Sequence, residues 1–127
     1  MKIIVAGASG FIGSKICLKA IENGHEVIAL TNETSISSIK SSQIKKIKFD
    51  LLNDQDQIPK YDGIDCIVNA ATANDKVSKN IVNGIDLSLK GTIKLLEYAT
   101  KNDINSFIFF STAQVYGSDL NGEVKED

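Results

Sequence analysis

The chain has 127 residues, 43% of them hydrophobic and 24% charged, and a formal net charge of −2. That is enough for one domain with a buried core and an ordinary water-soluble composition. The slight negative charge argues against nucleic acid or an anionic membrane surface as a partner, and no apolar run approaches the length needed to span a bilayer.

Other composition signals are plain. Cys17 and Cys66 lie among apolar neighbours without metal-ligand spacing, and read as packed free thiols of a cytoplasmic protein. The lysines at 40, 45, 46 and 48 read as a solvated face, and His25 falls in a helix-ending turn rather than a metal site. The short apolar stretch after Lys2 runs into glycines, unlike a signal peptide.

The chain begins with a short apolar run, Ile3 to Ala6, that reads as a buried strand. Gly7, Gly10 and Gly13 follow at the spacing G-x-x-G-x-x-G, and an amphipathic stretch starts at once. Gly7 suits a sharp turn off the strand, Gly10 a close backbone approach to a pyrophosphate, and Gly13 tight packing of helix on strand. The first-turn amides and the helix dipole would then face the phosphates. Strand, loop and helix together predict a dinucleotide site.

The first helix is expected over Phe11 to Asn23, with Ile12, Ile16 and Ala20 on one face and Gly24 as its stop. Strand two is Glu26 to Thr31. In a Rossmann domain the tip of this strand carries an acid for the ribose 2′-hydroxyl of NAD, or has an Arg nearby for the 2′-phosphate of NADP. Here Thr31 takes the place of the acid, Asn32 stands where an Arg would, and Glu33 comes one or two residues late. NAD and NADP therefore both stay open. Thr34 to Ser42 reads either as a short helix anchored by Ile36 and Ile39 or as a loop near the adenosine.

Strand three is expected over Lys45 to Phe49, with Ile47 inward and Lys46 and Lys48 outward, which suits a sheet edge. Asn53 to Gly63, with the single proline at 59, suggests a weak helix and a turn. Strand four is Asp65 to Asn69. A helix should start between Asn74 and Ser78 and run to about Lys101, with a break at Gly84 as one option; Ile85, Leu89, Ile93 and Leu96 form one apolar face. Strand five, Ser106 to Phe110, is apolar throughout, as expected of a strand covered on both faces. This alternation predicts an α/β Rossmann-type three-layer fold with a parallel sheet in the order 3-2-1-4-5.

Ser111-Thr112-Ala113-Gln114-Val115-Tyr116-Gly117 supplies a second motif, S-[ST]-x-x-V-Y-G, about a hundred residues after the glycine loop. With Phe11-Ile12 inside that loop, the chain resembles the extended short-chain dehydrogenase/reductases, the NAD-dependent epimerases and dehydratases of nucleotide sugars. The resemblance implies cofactor contacts from Gly7, Ser9, Gly10, Phe11, Ile12, Gly13, Thr31 and Asn32. It makes Asp50-Leu51 the adenine contact, although Asp50 also suits an N-cap. Asn69-Ala70-Ala71-Thr72 becomes the small-residue stretch beneath the pyrophosphate and nicotinamide ribose. Leu87 to Glu97 is similar to a family helix written N-V-x-G-T-x-N-L-L-E, with the shorter Ser88 in place of its first asparagine. Ser111 closes the cofactor set, and Thr112 matches the catalytic Ser/Thr that orients the reacting oxygen. Tyr116 belongs to a structural motif. Thr112-Ala113-Gln114 stands where sugar dehydratases have T-D-E, which favours epimerisation or reduction over dehydration.

The family's catalytic pair is Tyr-x-x-x-Lys, the tyrosine acting as general acid/base. Tyr61, Tyr98 and Tyr116 are followed four residues later by Asp65, Asn102 and Leu120. The resemblance therefore implies that residues 1–127 are a truncated NAD(P)-binding domain, the substrate lobe lying beyond, and that this portion alone does not catalyse hydride transfer. Strand five, left as an edge, should favour self-association into a homo-oligomer. The expected partners are a nicotinamide dinucleotide and, in the whole enzyme, a nucleotide sugar. Two rivals remain: a catalytically inactive NAD(P)-binding sensor or regulatory module, and a structural domain that no longer binds a nucleotide.

Overall fold

The computed structural model describes residues 1–32, 44–73 and 80–112. Strands β1 (Lys2–Ala6), β2 (Glu26–Thr31), β3 (Ile44–Lys48), β4 (Cys66–Asn69) and β5 (Phe107–Phe109) form one parallel sheet in the order β3-β2-β1-β4-β5. Helices α1 (Phe11–Glu22) and α2 (Ile81–Lys101) pack on it. The Rossmann-type order expected from the alternation of elements is the one found.

The sheet is central because its strands are apolar on both faces, and side chains alternate with period two. Ile3, Val5, Val27, Ala29 and Val68 share one layer with Cys17 and Ala20 of α1. Ile4, Ala6, Ile28, Leu30 and Ile67 share the other with Leu95 and Ala99 of α2. Ile4, Val5 and Ala6 are fully buried, so β1 is the axis of both layers. Full burial of an Ile or Leu side chain stabilises by about 1.5–3 kcal/mol.

Several boundaries depart from the sequence pattern. β3 begins one residue early, at Ile44, while β4 and β5 are shorter than expected. Asn53 to Gly63 contains no helix. Its side chains take the backbone amides instead: Asn53 Oδ1 accepts from Gln55 N at 3.1 Å, and Asp56 Oδ2 from Asp50 N at 2.8 Å. Such local bonds offer the backbone an alternative to helix. α2 runs unbroken through Gly84 and is capped by Asn80, whose Oδ1 accepts from Val82 N and Asn83 N.

The apolar face expected of α2 is not the one that meets the sheet. Ile85, Leu89, Ile93 and Leu96 are exposed, and Gly91, Leu95 and Ala99 are buried. Gly91 permits this approach, since a Cβ there would lie 3.2 Å from Leu51 Cβ. β5 is likewise not covered on both faces: Ile108 and Phe109 are about half exposed, at 49% and 50%. The expectations for Glu33, for 34–42, for a helix start between 74 and 78, and for 113–127, including Tyr116, lie outside the described residues.

Candidate functional site

The carboxyl ends of β1, β2, β3 and β4 open on a cleft of about 290 Å³. In an open α/β sheet this is the end at which ligands bind. Gly7, Ser9, Gly10 and Phe11 form one wall, and Leu30, Thr31 and Asn32 the next. Phe49, Asp50, Leu51 and Leu87 follow, and Ala70, Ala71 and Thr72 close the circuit.

The glycine wall is shaped by two positions that admit no side chain. Gly7 has φ +73°, and a Cβ on it would lie 2.7 Å from Ala71 N and Cα. A Cβ on Gly13 would strike the Gly7 carbonyl oxygen. The turn is closed by Gly10 N donating to Gly7 O at 3.0 Å, and Ala8 N donates to Leu30 O at 3.2 Å. α1 therefore begins hard against the end of β1. Its N-cap, Gly10, has no side chain to accept from the first-turn amides, and that turn carries no acidic residue. Amides of a first helical turn have no acceptor inside the helix, so this end of α1 presents donors and a positive dipole to the cleft.

At the tip of β2, Thr31 is buried at 5% exposure and Asn32 is exposed at the cleft mouth. Asp50 lines the cleft, and its Oδ1 accepts from Leu52 N at 2.9 Å, which holds a turn rather than capping a helix. α2 steadies this turn from behind. Lys94 Nζ donates to Leu51 O at 3.1 Å and Asn53 O at 2.9 Å, and pairs with Asp54 at 3.0 Å.

Other expected residues sit elsewhere. Gly13 packs beneath the Gly7 turn, and Ile12 is exposed on α1. Ser88 does not line the cleft; its Oγ donates to Gly84 O at 3.0 Å within its own helix. Ser111 and Thr112 follow β5, exposed and outside the cleft lining. Conversely, Ala6, Leu30, Phe49 and Leu87 line the cleft without having been singled out. For the first three a signal existed, since each immediately precedes a named loop. Leu87 shares the sheet-facing row with Gly91 and Leu95, a row identifiable only once that face is known.

Nucleophiles and acids away from the cleft are quiet. Cys17 and Cys66 are buried free thiols. Burial pushes the Cys17 thiol from its ordinary 9.0 up to about 11, so it stays protonated at neutral pH. Burial also raises the Tyr98 phenol, whose hydroxyl donates to Pro59 O at 3.0 Å and serves structure. Among the described residues no group of three or more His, Cys, Asp or Glu could hold a metal ion.

The model of the NAD dependent epimerase/dehydratase family matches residues 3–127. A UDP-glucose 4-epimerase of Halalkalibacterium halodurans is 30% identical over 99% of this chain and 39% of its own length. Another, from Klebsiella pneumoniae, is 29% identical over 92% of this chain and 93% of its own length. The crystal structure of UDP-glucose 4-epimerase from Bifidobacterium longum in complex with NAD+ and UDP superposes with a TM-score of 0.80. It shares 22% identity, covering 100% of this chain and 42% of that one. The chain thus spans about two-fifths of the length of most of the relatives named here.

Proposed function

The chain belongs to the NAD dependent epimerase/dehydratase family, and from that premise we propose that residues 1–127 form the NAD(P)-binding part of an enzyme acting on a nucleotide sugar. The reaction is epimerisation or reduction by hydride transfer, carried out by a water-soluble, cytoplasmic protein. One observation carries this: the uncapped start of α1, the Gly7 turn and four successive strand ends converge on a single cleft. A dinucleotide fits this donor set, because a pyrophosphate needs backbone amides, a positive dipole and no intervening Cβ.

The assignment follows the cleft wall by wall. Gly7, Ser9, Gly10 and Phe11 bind the pyrophosphate through main-chain amides, over Ile12 and Gly13 of the same turn. Thr31 and Asn32 meet the adenosine ribose. Leu51 lines the adenine ring, and Asp50 accepts from its amino group through Oδ2, Oδ1 being held by Leu52 N. Ala70, Ala71 and Thr72 lie under the nicotinamide half, and Ser88 and Ser111, outside the cleft lining, complete the expected cofactor set. Bound nicotinamide supplies a reversible hydride acceptor. Thr112, at the end of β5, positions the substrate oxygen by hydrogen bonding.

The test is titration with NAD and NADP separately while thermal unfolding is followed. At a ligand concentration one hundred times Kd, binding to the native state adds about 2.7 kcal/mol. For a domain of this size that raises Tm by roughly 10 °C. No shift with either dinucleotide overturns the proposal. A second reading is a binding module that senses nicotinamide redox state; a coding sequence that continues to Tyr-x-x-x-Lys would sink it. A large affinity difference between NAD and NADH, without turnover by the whole protein, would select it.

A further inference from the structure

Asn69, the last residue of β4, is a buried polar side chain at 2% exposure beside the cleft. Its Nδ2 donates to Thr92 Oγ1 of α2 at 3.0 Å, and its Oδ1 accepts from Ala71 N at 3.1 Å. The Thr92 hydroxyl donates in turn to Ser88 O at 2.6 Å. These bonds fix the orientation of the amide. With the Thr92 proton committed to Ser88 O, the hydroxyl faces Asn69 as an acceptor and requires an N–H opposite it. The Ala71 amide is a donor and requires an oxygen. A flipped Asn69 would set donor against donor at Ala71 and acceptor against acceptor at Thr92.

We propose that Asn69 and Thr92 are positioning residues for the cofactor cleft, joined in a relay from α2 through the Ala71 amide to the Gly7 turn. Resting on the cofactor assignment above, the relay gives α2 its hold on this wall. Ser88 and Thr92 both donate to a carbonyl of their own helix, but it is the Thr92 oxygen that Asn69 reaches. Ala71 is the residue whose N and Cα lie where a Cβ on Gly7 would stand. Its backbone position therefore sets the clearance over the glycine turn. Ala70 is pinned separately by its N–H to Ala6 O at 3.0 Å, whereas the Ala71 amide is held by the Asn69 side chain. A chain in which each bond polarises the next holds geometry more tightly than isolated bonds.

The experiment compares Thr92→Val, Thr92→Ser and Asn69→Leu in the full chain. Amide hydrogen exchange of Ala71 is followed in the free protein, and calorimetry gives affinity for whichever of NAD and NADP the wild type binds. Thr92→Val preserves shape but leaves buried Asn69 Nδ2 without its acceptor. We expect Ala71 exchange to quicken and Kd to rise, each about tenfold, the size of effect that loss of one buried hydrogen bond produces. Thr92→Ser should restore both, since it returns the hydroxyl. Asn69→Leu should be at least as severe at Ala71. Wild-type exchange and affinity in Thr92→Val would overturn the relay, as would a Kd loss that Thr92→Ser fails to rescue. If the wild type binds neither dinucleotide, the cofactor assignment fails separately. Ala71 exchange then decides the relay: quickened exchange in Thr92→Val supports it, and unchanged exchange sinks it.

Discussion

The two helices lie on opposite faces of one sheet and use their apolar residues differently. α1 turns Gly13, Cys17 and Ala20 to the sheet and has Ile16, Leu18 and Ile21 packed partly against the same layer. α2 buries Gly91, Leu95 and Ala99, yet leaves Ile81, Val82, Ile85, Leu89, Ile93 and Leu96 exposed. Both helices read as amphipathic. Small residues mark the face that meets the sheet in each, because a helix must come close to place its backbone against a strand end. The larger aliphatic residues of α2 form a second face. Apolar periodicity thus identifies a helix without identifying which stripe is core.

The sharpest way to break this comparison is at the tight contact. Gly13→Val drives a Cβ into the Gly7 carbonyl oxygen, and should cost about 3 kcal/mol or more in urea unfolding. Dinucleotide binding should be lost with it, since the start of α1 moves off the cleft.

The two faces of α2 give the next test. Leu95→Ala removes a fully buried side chain and should destabilise by about 2–5 kcal/mol. Leu89→Ala, on the exposed face, should stay within about 0.5 kcal/mol of wild type. Equal effects from the two substitutions would show that the Leu89 face is covered in solution.

A smaller effect is expected at the cleft mouth. Asn32→Asp supplies a carboxylate that accepts from a ribose 2′-hydroxyl and repels a 2′-phosphate. The ratio of NADP to NAD dissociation constants should rise about tenfold, read by paired calorimetric titrations. An unchanged ratio would place the 2′ position away from Asn32.

An effect confined to alkaline pH belongs to Cys17 on the α1 side. Its thiol is raised in the folded state, so its contribution to stability is full below about 9 and is lost as pH rises toward about 11. Unfolding free energy measured across that window should fall in wild type. In Cys17→Ala this part of the decline should be absent.

Much of the fold was legible in the sequence because it rests on local signals. The apolar runs of β1 and β2 and the glycine spacing determine strand, turn and helix from within a few residues, and Glu26–Thr31 matched the expected strand to the residue. The strand-end loops were legible for the same reason, since a parallel sheet gathers them at one end. What only the tertiary structure decided depends on distant partners. No local pattern says that Leu87, Gly91 and Leu95, rather than Leu89 and Ile93, face the sheet. None says that Asn53 and Asp56 capture the amides of a would-be helix, or that Thr92 rather than Ser88 reaches Asn69. Each of these was settled by which group across the layer offered a matching shape or a hydrogen-bond partner. A sequence lists such groups without showing how near they lie.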